Sequence, residues 1–141
     1  MTKILHSTVY FSLALDQLFI EIMVNSREKG ARAERELAGK LRELLGVEAR
    51  RGQQFCGANG DADVVGSPGV HIEAKMVEKL NLELAMDQSR RDARPGEIPV
   101  VIHRRKRKPW LVMVPLEELK EFCRIVQEIQ EEGLTFGKEG V

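Results

Sequence analysis

Between Asp61 and Lys75, two short apolar segments flank the turn residues Ser67-Pro68-Gly69, and each segment carries acidic residues. This block constrains the fold most, because its two halves read as paired strands. Residues two apart on a strand share a face. Glu73 and Lys75 therefore point one way, and Ile72 and Ala74 point the other way, into a core. A hairpin brings Asp63 beside them. Two carboxylates and an ammonium converging at a strand end can hold Mg²⁺ and manage an attacking water.

With 141 residues the chain is long enough for one domain with its own core. Lys plus Arg and Asp plus Glu both total 22, so net charge argues neither for nor against a nucleic-acid partner. The distribution says more. Residues 103–108 are almost wholly basic, and a local patch can bind phosphates on a neutral protein. Cys56 and Cys123 are far apart and form no Cys-x-x-Cys pair, so they read as reduced thiols of a cytoplasmic protein. Cys123 falls on an apolar helical stripe and is expected in the core. No segment is long and apolar enough to span a membrane, since Asp16 and Glu21 interrupt the best candidate, 4–24.

Residues 1–24 read as an extension outside the domain, with Met23 as an alternative start. The domain itself is expected over 25–132 and a loose, Gly-rich tail over 133–141. Asn25-Ser26 suits the N-cap of a helix running to Leu45, stopped by Gly46. Its apolar face carries Glu34, Leu37, Ala38, Leu41, Leu44 and Leu45. Strands are expected at 47–51, 61–65 and 70–76, with a Gly-rich loop over 52–60. Asn81 caps a second helix, 82–93, which Pro95-Gly96 ends. Strands at 98–103 and 110–114 follow, and Pro115 opens a last helix with a stripe of Leu116, Leu119, Phe122, Cys123, Val126 and Ile129. The order is helix, three strands, helix, two strands, helix: an α/β sandwich whose mixed sheet of about five strands is flanked by helices.

A carboxylate on an apolar helical face is costly without a partner, and Glu34 heads such a face. Three carboxylates brought together repel unless a cation neutralises them. Asp63 and Glu73, with the Ala74 carbonyl as a third ligand, meet the needs of Mg²⁺. Lys75 orients the water or neutralises developing charge. Asp61 lies on the same strand face as Asp63, so alternation does not choose between them; Val64-Val65 continue the strand of Asp63 and favour it. Gln88, near the buried side of its helix, is an accessory candidate for holding a water or phosphate. His71 shares the face of Glu73 and Lys75, but with no second histidine nearby it reads as a flanking residue and not as a metal ligand. The basic turn Arg104, Arg105, Lys106, Arg107 and Lys108, followed by Trp110, suits a finger against a DNA backbone, and Arg50 and Arg51 could serve likewise. Such contacts give affinity without sequence information.

These residues together resemble the PD-(D/E)XK nuclease superfamily, and within it the archaeal-type Holliday-junction resolvases and their phage-encoded relatives. The stretch 29–37, with Glu34 and Arg35, looks like that family's opening helix motif. Asp63-Val-Val-Gly and Ile72-Glu73-Ala-Lys75 match its two strand motifs, and 100–103 and 108–112 resemble its closing strands. The resemblance implies a restriction-endonuclease-like fold and a catalytic set of Glu34, Asp63, Glu73 and Lys75. It also implies Mg²⁺ as cofactor, with Mn²⁺ able to substitute. Arg35 and one of Arg50 or Arg51 would occupy the family's phosphate-contacting positions, with Lys29 a further DNA-binding candidate. A homodimer would make two symmetric cuts in a four-way DNA junction.

Overall fold

The computed structural model describes residues 2–53 and 62–136, with the backbone alone described for 2–11 and 134–136. Asp61, Cys56 and most of the Gly-rich loop lie outside the described residues. The chain divides into two compact units, Met1–Arg32 and Ala33–Val141.

The first unit is helical. Helix α1 spans Thr2–Leu45, so no cap forms at Asn25-Ser26. Ser26 instead donates its hydroxyl back to the Ile22 carbonyl, 2.9 Å away, which leaves a helix uninterrupted. No glycine or proline precedes Gly30 in the chain to break it. Leu18, Phe19, Ile22 and Met23 on this stretch are exposed. Among the described residues, no helix is long and apolar enough to cross a membrane.

The second unit is the α/β layer structure that the patterning predicts. Its strands are β1 (Arg50–Arg51), β2 (Val64–Val65), β3 (Val70–Met76), β4 (Ile98–Arg104) and β5 (Leu111–Met113). They lie in the order β1-β2-β3-β4-β5. All neighbours are antiparallel except β3 and β4, which run parallel in the register Ile72↔Val100 and Glu73↔Val101. A parallel pair needs a crossover, and helix α2 (Leu82–Asp92) supplies it. Its N-cap is Asn81, whose side chain accepts from the Leu84 amide at 3.1 Å. A 3₁₀ turn (Leu116–Glu118) leads into helix α3 (Leu119–Phe136), which continues past Gly133.

Strand alternation divides the side chains between two cores. Ile72, Ile98, Val100 and Ile102 pack with Leu37, Ala38 and Leu41 of α1 and with Ile125 and Ile129 of α3. On the other face Val101 packs with Ala85 and Met86 of α2. The α3 stripe keeps Phe122 and Ile129 of the expected one and departs from it at its other positions. Leu116 and Leu119 are exposed, Cys123 is exposed, and Ile125 and Ile129 carry the contact. The 3₁₀ turn advances about 120° per residue instead of 100°, which shifts the face read from Pro115 onward.

Gly66 ties the β2 exit to the approach to β1. Its φ is +96°, and a Cβ there would stand 2.3 Å from the Glu48 carbonyl oxygen. Neither the backbone conformation nor the obstructing backbone atom can give way cheaply. Gly66→Ala is therefore expected to cost about 2–3 kcal/mol, readable as a lowered urea midpoint at unchanged slope.

Candidate active site

The face of β3 that α2 covers carries His71, Glu73 and Lys75, because Ile72 and Ala74 belong to the opposite core. Glu73 is buried, with 4 % exposure. A buried carboxylate needs a partner, and the Lys75 ammonium provides one at 2.6 Å. Lys75 also donates to Gln88 Oε1 of α2 at 3.1 Å. The helix thus holds the far side of the ammonium that the strand holds from below.

The antiparallel pair β2–β3 brings in the next group. Val64 is level with Ile72, and the Asp63 amide donates to the Ile72 carbonyl at 3.0 Å. Asp63 consequently stands beside Glu73, and its Oδ2 accepts from the Ala74 amide at 2.8 Å. Burial and the charge of Glu73 push the Asp63 carboxyl up to about 6, with Glu34 adding to the rise. The Ala74 hydrogen bond and the Lys75 charge oppose it. Desolvation and crowded negative charge both favour the protonated acid.

Glu34, on the buried face of α1, is 7 % exposed. Its carboxylate is partnered by Arg51 of β1 in a close ion pair. The structure therefore brings Glu34, Asp63, Glu73, Lys75 and Gln88 into one neighbourhood, spread over α1, β2, β3 and α2. Asp61 lies outside the described residues.

The basic residues separate into two kinds. Arg104 closes β4 with the same parity as Ile102, so it turns toward α1. There it donates to Glu36 at 2.7 Å and stacks over Trp110, 5.1 Å from the ring centroid. Trp110 Nε1 approaches the same Glu36 at 3.4 Å. Arg104 is engaged in holding β4, β5 and α1 together. Arg105, Lys106, Arg107 and Lys108 are exposed on the turn beyond it. Arg107 has φ 59°, and the Lys106 amide donates to Glu78 at 2.9 Å, which fixes that turn. Arg50 and Arg35 are exposed, as is Lys29 in the first unit. Arg50 lines a polar cavity of about 340 Å³ together with Ser67, His71, Asp92, Arg94 and Glu97.

Reading the sequence as strands and stripes missed Asp92. It follows Gln88 by four residues on α2, which sets it on the same helical face, and that spacing was the available signal.

Comparison with known proteins adds one match: the sequence model of a family described as "Phage putative PDDEXK endonuclease" fits residues 25–135. No curated protein and no solved structure matches.

Proposed function

Because the chain belongs to the phage PD-(D/E)XK endonuclease family, we propose that it cuts DNA at four-way junctions by metal-dependent phosphodiester hydrolysis. Asp63, Glu73 and Lys75 act at the scissile phosphate. The observation that carries this reading is the convergence of two carboxylates and a positioned ammonium at one strand end, with Asp63 held protonatable near neutrality. Burial first, and the neighbouring Glu73 and Glu34 charges next, raise this acid, and a cation bound between the carboxylates would relieve both costs. The donor set consists of oxygens, as Mg²⁺ requires, and Mn²⁺ substitutes readily at such ligands.

Asp63 and Glu73 would hold the metal, which supplies stabilisation of phosphate charge and an acidified water. The protein's own groups do the rest. The Ala74 amide fixes the orientation of Asp63. Glu73 holds Lys75 beside the reacting phosphate, where its ammonium neutralises developing charge or orients the nucleophile. Glu34, anchored by Arg51, adds negative charge at the metal side. Arg35, Arg50, Lys29 and the turn Arg105–Lys108 contact DNA phosphates, a role that weakens with salt and carries no sequence preference. A homodimer places two such sites for paired symmetric cuts. Support for the junction comes from the motif resemblance and not from the catalytic residues, since the chemistry at each phosphate is the same.

One experiment separates the substrates. A synthetic four-way junction, a flap and a linear duplex are each incubated with the protein, with and without Mg²⁺. Symmetric nicks confined to the junction are the expected result; equal cutting of all three would reduce the reading to a general endonuclease on DNA.

Gln88 acts through Lys75. Gln88→Ala is expected to lower the cleavage rate about tenfold, a little over 1 kcal/mol, with DNA affinity unchanged. Gln88→Glu, which keeps an acceptor, should retain more of the rate than the alanine variant does.

A further inference from the structure

His71 has no part in the chemistry described so far, yet its side chain is only 4 % exposed and its Nε2 has no hydrogen-bond partner. Its Nδ1 faces Glu97 at 3.7 Å. A buried ring nitrogen without a partner is costly. One nitrogen of this imidazole, one carboxylate oxygen of Glu73 and one of Asp92 lie within 4.8 Å of one another. Their disposition follows from the fold: His71 and Glu73 are alternate residues of β3, and Asp92 ends the helix packed over them.

We propose that His71, Glu73 and Asp92 form a second divalent-cation site, distinct from the Asp63 side of Glu73, that takes Mn²⁺ or another transition ion in preference to Mg²⁺. Donors on one ion at about 2.0–2.2 Å stand roughly 3–4 Å apart, so the three groups need to close only slightly. Asp92 is exposed on the last helical turn and has the freedom to do so. An imidazole nitrogen suits borderline transition ions, whereas Mg²⁺ prefers oxygen. The adjoining polar cavity, bounded by Ser67, Arg94 and Glu97, gives the ion a route in and room for water ligands. Glu73 is common to this site and to the proposed catalytic one, and the test below tells them apart.

The probe is Mn²⁺ added to untagged, metal-free protein, followed by electron paramagnetic resonance. Wild type should bind two ions per chain, and echo-modulation spectra should show coupling to an imidazole ¹⁴N. His71→Gln should lose that coupling and bind one ion. Asp92→Ala, a change at an exposed position that leaves the core intact, should weaken the second ion at least tenfold even if the buried His71 variant folds poorly. Asp63→Asn should keep the nitrogen coupling. Mn²⁺ bound without nitrogen coupling, as one ion or two, overturns the second site and leaves the nuclease reading standing. Nitrogen coupling in a protein that cuts no DNA would do the reverse.

Discussion

Glu73→Gln and Lys75→Ala proteins are expected to bind DNA as wild type does, and to cut it at least about 10³-fold more slowly, a loss of roughly 4 kcal/mol of transition-state stabilisation. Glu73 is buried and its only described counter-charge is Lys75 at 2.6 Å. The glutamine variant keeps volume and hydrogen-bonding capacity but removes one of the two carboxylates a metal would use. The alanine variant removes the ammonium and leaves Glu73 buried beside Gln88, so its thermal stability should also fall, as expected when one partner of a buried pair is deleted. Neither residue lies among the exposed cations assigned to phosphate contact. Binding measured by gel shift without Mg²⁺ should stay within a few-fold of wild type. Full cleavage by either variant would sink the assignment.

Asp63→Asn should separate function from stability in opposite directions. Cleavage should fall by a similar factor, because an amide is a poor metal ligand. The metal-free protein should become more stable at neutral pH. The folded-state carboxyl is raised from 3.8 to about 6 by burial and by Glu73 and Glu34. A carboxyl whose folded value lies above its unfolded one favours folding while protonated, and that contribution is full below about pH 4. It is lost as the pH rises through about 6. Wild type without metal should therefore melt at a higher temperature at pH 5 than this residue allows at pH 7.5. Asparagine, which still accepts from the Ala74 amide, should remove that slope and recover on the order of 2 kcal/mol at pH 7.5. Saturating Mg²⁺ should shrink the difference by stabilising wild type alone. Equal pH slopes in the two metal-free proteins would refute a raised Asp63 carboxyl, whether burial or neighbouring charge raises it.

How much of this was legible without coordinates depended on the period being read. The seven-residue strand β3 falls where alternation set it, as does the Asn81 cap of α2. Asp63 and Glu73 come side by side because a short turn leaves antiparallel segments little other choice. Glu34 was conspicuous as a carboxylate on an apolar face, although Arg51 supplies the partner that its burial demanded. What failed were judgements about ends. Ser26 has the composition of a cap, but its hydroxyl can equally bond back within a helix. Gly133 weakens a helix without stopping it.

A run of cations also looks uniform in sequence, whereas strand parity singles out Arg104 from its neighbours. It sits level with Met76 in the parallel register and turns with Ile102 toward α1. The role of Asp92 depends on a pairing between the end of a helix and the middle of a strand. Local spacing does not encode that pairing.

Helix α2 has a double duty that bears on how the protein is made. Asp63, Glu73 and Lys75 lie within thirteen residues of one another in the chain and can come together as soon as a hairpin forms. Gln88 reaches Lys75 only once the crossover helix has docked, and docking rests on Val101 of the strand that follows. In chain order the carboxylates and the lysine come before both the helix that positions the lysine and the strand on which that helix packs. The positioning of the lysine is thereby postponed until the sheet is whole. The last refinement of the proposed site thus waits on the order of the strands and not on the hairpin alone.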